Sequence, residues 1–264
     1  MRTLIFLLTL LLAVSASAQP SIFTGGVVNA ASFAAAQPVA PGSLIAIFGN
    51  SLADSLLSSD TVPWSANLGG ASVSVNGAPI PLSFVSTGQI NAQMPWNALP
   101  PGVTSGTVNV SVQNTHGASV SVPVNVGPAA PGIFSIPAGA GYAVAVNNRD
   151  GSVAAPPGAI SGIVTHPAAV GDVLILYATG LGAVDNTPAN GAASLDMVRN
   201  TLAVPTVLIG GNSAQVLFHG LSPQFPGVNQ INLVVPQVSS GSSVPIQLQM
   251  GNITSTNQVV IAIQ

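Results

Sequence analysis

Pro41-Gly-Ser-Leu-Ile-Ala-Ile-Phe-Gly-Asn-Ser-Leu52 returns 129 residues later as Val170-Gly-Asp-Val-Leu-Ile-Leu-Tyr-Ala-Thr-Gly-Leu181, and this pair of stretches decides the fold. In each, a Gly opens a short run, Ser43 to Phe48 and Val173 to Tyr177, that is apolar almost throughout. Such runs mark strands buried on both sides or lying centrally in a sandwich.

Moving outward, the likeness continues. Val73-Ser-Val-Asn-Gly77 with Phe84 matches Val207-Leu-Ile-Gly-Gly211 with Phe218 at an offset of 134, and Gln89-Ile-Asn91 with Pro95 matches Gln230-Ile-Asn232 with Pro236 at an offset of 141. The offset grows only between apolar blocks, as loop insertions in a second copy would make it grow, so the chain reads as an internal duplication. Within the first copy, Val108-Asn-Val-Ser-Val112 and Val120-Ser-Val-Pro-Val-Asn-Val126 alternate apolar with polar, one face to a core and one to water. Asn76-Gly77, Asp150-Gly151, Gly210-Gly211 and many prolines punctuate the blocks as turns, and no sustained helical period follows the leader. The expected architecture is all-β: two tandem immunoglobulin-like β-sandwich domains. The first spans residues 19–128. The second spans 129–264 and includes an inter-domain hairpin and a Pro/Gly-rich segment, after a linker at Val126-Gly-Pro-Ala-Ala-Pro-Gly132. Gly26-Val-Val-Asn29 is the expected first strand of copy one and Tyr142-Ala-Val-Ala-Val-Asn147 its counterpart.

Met1-Arg2, an apolar run from Leu4 to Val14 and Ala16-Ser-Ala18 form a secretory signal peptide, residues 1–18, with cleavage expected after Ala18. The run is about half of the roughly 20 residues a membrane span needs, so the expected product is secreted or extracytoplasmic with no membrane span. Composition narrows the rest. Of 264 residues, 3% are charged and 48% hydrophobic, with no Cys, 3 Lys+Arg and 6 Asp+Glu. Neutralising nucleic-acid phosphates takes a patch of basic groups that this chain lacks. Disorder goes with low hydrophobicity and high net charge, the reverse of a chain with formal charge -3. Without Cys there is no disulfide framework and no thiolate metal site.

Seven ordered stretches carry a resemblance: Gly26-Val-Val-Asn-Ala-Ala-Ser-Phe33, Ala40-Pro-Gly-Ser-Leu44, Gln89-Ile-Asn-Ala-Gln93 with Pro95-Trp96, Pro131-Gly-Ile-Phe134, Arg149-Asp-Gly-Ser152, Tyr177-Ala-Thr-Gly-Leu-Gly182 and Gly227-Val-Asn-Gln-Ile-Asn232. Together they resemble an uncharacterised C-terminal domain family abundant in secreted proteins of soil acidobacteria. Leu44 to Leu52 also looks like the strand that opens IPT/TIG immunoglobulin-like domains. The resemblance implies an extracellular domain, often appended to larger proteins, with no established activity.

Groups able to do chemistry are few. His116, His166 and His219 are the only imidazoles, and no G-x-S-x-G elbow accompanies them. His116 reads as part of a hairpin turn and Asn147-Asn-Arg-Asp-Gly151 as a two-residue Asp-Gly hairpin. The chain has no Glu, so paired carboxylates would come from Asp54 and Asp60 in the loop after the first apolar run, or Asp185 and Asp196 in its counterpart. Asp favours turns, and neither loop has the Asp-x-Asp-x-Asp-Gly order of a Ca²⁺ site. No catalytic residue, cofactor or metal ligand is expected. Candidate ligand contacts are Gln89, Asn91, Trp96, Gln230, Asn232, Asp185 and Asp196. The Gln-Ile-Asn pairs either satisfy backbone groups where a strand leaves the sheet or read sugar hydroxyls beside Trp96 or Phe225. Trp64 and Trp96 are expected in core or domain-interface packing. The loop Asp185 to Asn200, long and polar, is the first place to look for a binding face. The expected function is that of a secreted non-enzymatic structural, adhesive or interaction module at the cell surface or extracellular matrix. Its partner would be a protein or glycan, with possible self-association because little charge opposes it. Carbohydrate binding is the alternative and an extracellular hydrolase the second alternative.

Overall fold

The structure, a computed structural model, describes residues 18–264; but for Ala18, the expected signal peptide lies outside the described residues. Every regular element among the described residues is a strand. The strands form four sheets that pack in pairs as two tandem immunoglobulin-like sandwiches.

In the first sandwich a five-stranded sheet runs Ser21–Asn29, Leu44–Asn50, Gln89–Gln93, Leu82–Val85, Leu57–Ser58. It faces a six-stranded sheet built around Gly106–Asn114, which pairs with Ala71–Val75, Val122–Val126 and Gly117–Ala118. The alternation read in the sequence does what period 2 requires. Along Ala71–Val75 every other residue is buried, and Val108, Val110 and Val112 all face inward. They meet Ile45, Ile47, Ile90 and Ala92 from the facing sheet in one apolar core, where each fully buried Ile or Val contributes roughly 1.5–3 kcal/mol.

The second sandwich repeats the plan. Val173–Thr179 lies between Asn229–Val234 and the short strand Ala145–Asn147, and Gln215–Leu221 closes the edge. The facing sheet is built around Gly241–Met250, flanked by Thr206–Ile209 and Val259–Ile263. A separate core joins Leu174, Leu176, Ile231 and Leu233 to Val207, Leu248 and Ile261.

Registers match pair for pair between the copies. Ile47 lies opposite Ile90 and Phe48 opposite Gln89, just as Leu176 lies opposite Ile231 and Tyr177 opposite Gln230. The neighbouring strand carries an irregularity at the same place, with Phe84 opposite Asn91 and Phe218 opposite Asn232. Even the first strands agree: Asn29 pairs with Ile45 and Asn147 with Leu174.

Three local expectations need correction. The Tyr142–Asn147 strand is broken at Val144, where the chain crosses from one sheet to the other. Gly141–Ala143 pairs in parallel with Val259–Ile263, and Ala145–Asn147 joins the Val173 strand. The Asn147–Gly151 turn is longer than a two-residue hairpin. Gly151 N–H donates to Asn147 O and Asn147 N–H to Ser152 O, enclosing four residues. The Asp150 carboxylate closes it by accepting from the Ser152 hydroxyl and amide. Third, the Gln-Ile-Asn amides bond each other and not a loose backbone group. Each triplet lies at or next to the start of a strand paired on both sides, its Ile buried and its Gln and Asn half-buried on the outward face.

The two sandwiches are joined by buried polar contacts. The Thr179 hydroxyl, fully buried, donates to Gly227 O (2.6 Å) and accepts from Leu44 N–H (2.9 Å). Asn29 Nδ2 donates to the linker carbonyl of Ala130 (2.7 Å), and Ala130 N–H donates to Gly180 O (2.8 Å). Gly180, at φ +83, lies so close to Ala130 O that a Cβ there has no room.

Candidate functional site

The loop from Asp185 to Asn200 does two different things. Its first half binds the first sandwich. Asn190 Oδ1 accepts from Trp96 N–H (2.9 Å), and Gly191 O accepts from Trp64 N–H (3.0 Å). Gly191 N–H donates to Oε1 of Gln93 (2.6 Å), a fully buried side chain whose Nε2 donates on to Gly42 O (3.1 Å). Both tryptophans are therefore interface residues. The Trp96 ring lies against Gly42, whose φ of +75 suits glycine alone and which has no space for a side chain. Trp96 Nε1 is buried without a protein partner, and the ring forms one wall of a cavity of about 400 Å³ with Leu99, Pro100 and Pro128.

The second half of the loop is not the polar segment read from the sequence. Leu195 (74%) and Val198 (67%) stand exposed, Met197 beside them, and Leu202 (71%) and Val204 (66%) follow. A side chain that sequence reasoning passed over holds this half in place. Arg199 is buried, and its NH1 and NH2 groups reach both carboxylate oxygens of Asp196 (2.6 and 2.9 Å) while Nε donates to Asn186 O (2.6 Å). Hydrogen bonds from Arg199 hold the Asp196 carboxyl at about 2, below its usual range, and the same pairing raises Arg199. Asp185 accepts from the Asn200 amide N–H (2.7 Å) and Nδ2 (3.2 Å). The two carboxylates thus close the loop instead of converging on a ligand.

Between this loop and the sheet lies a cavity of about 400 Å³ lined by Leu195, Met197, Phe218, Gln230 and Asn232. Gln230 and Asn232 are therefore brought to one site; Gln89 and Asn91 lie on the other sandwich. In both copies the pair bonds internally, Gln89 Nε2 to Asn91 Oδ1 at 2.7 Å and Gln230 Nε2 to Asn232 Oδ1 at 3.0 Å. Each pair thereby stiffens the outward face, with one amide oxygen and one NH₂ left to offer.

The imidazoles lie on three separate elements. His116 Nε2 is 3.0 Å from Asp54, whose other oxygen accepts from the Thr115 hydroxyl (2.6 Å). His166 is 3.7 Å from Asp150, and His219 Nδ1 is 2.8 Å from the Thr201 hydroxyl. Among the described residues, each has one of the two partners that a nucleophile–base–carboxylate relay needs, and none has both.

The chain has distant similarity to several solved structures. The D00-D0 domain of intimin is 12% identical, covering 93% of this chain and 100% of that one, at a TM-score of 0.20. The titin domains z1z2 in complex with telethonin are 12% identical over 94% and 98% of the two chains, at 0.21. InvD of Yersinia pseudotuberculosis is 14% identical over 86% and 55%, at 0.21. No curated protein matches the chain. The IPT/TIG domain family matches residues 32–126, so the first of the two immunoglobulin-like sandwiches carries an IPT/TIG domain.

Proposed function

We propose that the protein is a secreted, non-enzymatic interaction module of the kind resembled in soil acidobacteria. On this reading it docks protein partners, a second copy of itself among them, through the apolar face of the second sandwich. The observation that carries this reading is the row Leu195, Met197, Val198, Leu202 and Val204, exposed beside the edge strand Gln215–Leu221, where Leu217 is exposed as well. Solvated apolar side chains in such number on one face mark an interaction surface. The charged groups within the row, Asp196 and Arg199, neutralise each other, so nothing on the face repels its own copy.

Light scattering coupled to size-exclusion chromatography tests this. We expect concentration-dependent association that persists from low to high salt and is lost in a Leu195→Asp, Val198→Asp double variant. Wild-type protein that stays monomeric at high concentration and captures no surface protein, or association that weakens steeply with salt, would contradict the reading. Both substituted side chains are exposed, so folding is expected to survive.

A further inference from the structure

We propose that the cleft where the two sandwiches meet is a binding site for an uncharged oligosaccharide. The cleft encloses about 650 Å³, inside the roughly 300–1,000 Å³ span of small-ligand sites, and lies at a domain junction where such sites concentrate. The linker, residues 126–131, forms its floor. Gln37, Ser105 and Asn125 stand on one wall and Thr254 and Thr256 on the other, all exposed.

Three features select the ligand. First, no Asp, Arg or His lines the cleft. A phosphate, sulfate or uronate there would lose hydration without gaining a counter-charge. Second, the wall offers amides and hydroxyls, which donate and accept at once, as sugar hydroxyls do. The Thr107 hydroxyl donates to Asn125 Oδ1 (3.1 Å), an arrangement in which the Asn125 NH₂ remains available to donate. Third, the wall formed by the first sandwich has no free strand edge for a peptide to extend. Val126 and Asn125 already pair with Gly106 and Thr107 on one side, and Val39 N–H occupies Asn125 O on the other (3.0 Å). Proline rings at Pro38 and Pro128 supply the apolar surface on which the C–H faces of a pyranose can rest.

The site is separate from the apolar face of the second sandwich, so either proposal can fail alone. Affinity electrophoresis of the purified protein through native gels containing β-glucan, galactomannan, arabinoxylan or dextran, with alginate as the anionic polymer, tests it. Retardation by at least one neutral polymer and none by alginate is expected. A Gln37→Ala, Thr254→Ala double variant should weaken binding at least ten-fold, and Ser105→Trp, which fills the cleft, should abolish it. Leu195→Asp with Val198→Asp should leave it unchanged. Migration unaffected by every neutral polymer, retardation that survives both cleft variants, or preference for alginate overturns the proposal.

Discussion

Replacing Gln93 by Met tests whether the junction is held by the buried amide. Met keeps the length and unbranched shape of Gln but removes both polar atoms, so Gly191 N–H and Gly42 O, both in buried residues, lose their partners. A buried backbone group left unpaired costs about 1–3 kcal/mol, which puts the two together at about 2–6. Burying the thioether instead of an amide returns part of that, and a net loss of about 2–4 kcal/mol is expected. With a urea slope of about 3 kcal/mol per molar, the unfolding midpoint falls by about 1 M. Trp64 and Trp96 both contact the Asn190–Gly191 segment, so tryptophan fluorescence reports on this region. Amide exchange at Gly191 reads the lost bond directly and should accelerate by at least ten-fold. Gln89→Met is the control. Its side chain bonds only the half-exposed Asn91 side chain, and a loss below about 1 kcal/mol is expected. Equal losses in the two variants, or an unchanged Gly191 exchange rate with Gln93→Met, would refute the assignment of the junction to this amide.

Ile47→Ala and Leu176→Ala remove corresponding, fully buried side chains from the two cores, and each is expected to cost about 2–5 kcal/mol in chemical unfolding. A loss below about 1 kcal/mol in either would contradict their equivalence. The Asp196 carboxyl, held at about 2 in the folded protein and near 3.9 in an unfolded chain, stabilises the loop above about pH 4, and that contribution disappears as pH falls through about 2. Carboxyl NMR should place the Asp196 midpoint near 2; a midpoint near 3.9 would mean the Arg199 contact is not made. In Gly42→Ala, the strain of a positive φ adds to the clash with the Trp96 ring, and we expect a shifted tryptophan emission with a loss above about 1 kcal/mol. A variant with unchanged emission and stability would show that the ring does not press on Gly42.

The sandwich plan was legible because strand alternation and the duplicated apolar runs are both local signals. Val73 and Val75 point inward in the structure for the reason that makes them alternate in the sequence. The site was legible only in part. Gln230 and Asn232 stood out because they recur, and they do line a cavity. Leu195, Met197 and Val198 carried no such mark, since an apolar residue in a loop has no period that tells a buried side chain from an exposed one. Arg199 drew no reading from the sequence, yet it is buried against Asp196, a pairing three residues apart that only the loop's curl produces. Of the junction, only the packing of Trp64 and Trp96 was foreseen, as core or domain interface; its hydrogen bonds could not be read. Gln93 and Gly191 are 98 positions apart, and nothing local links an amide on one strand to a glycine in a distant loop.

The short linker has a mechanical consequence. Between the last strand of the first sandwich and Gly132–Ile133, the chain is anchored at Ala130 from both sides, by Asn29 and Gly180, so it holds no slack. Tension applied at the two ends meets no soft spring of coiled chain and loads the strands at once, so the pair behaves as a stiff rod rather than two beads on a thread. A single-molecule extension trace should show no lengthening at low force before the first sandwich ruptures.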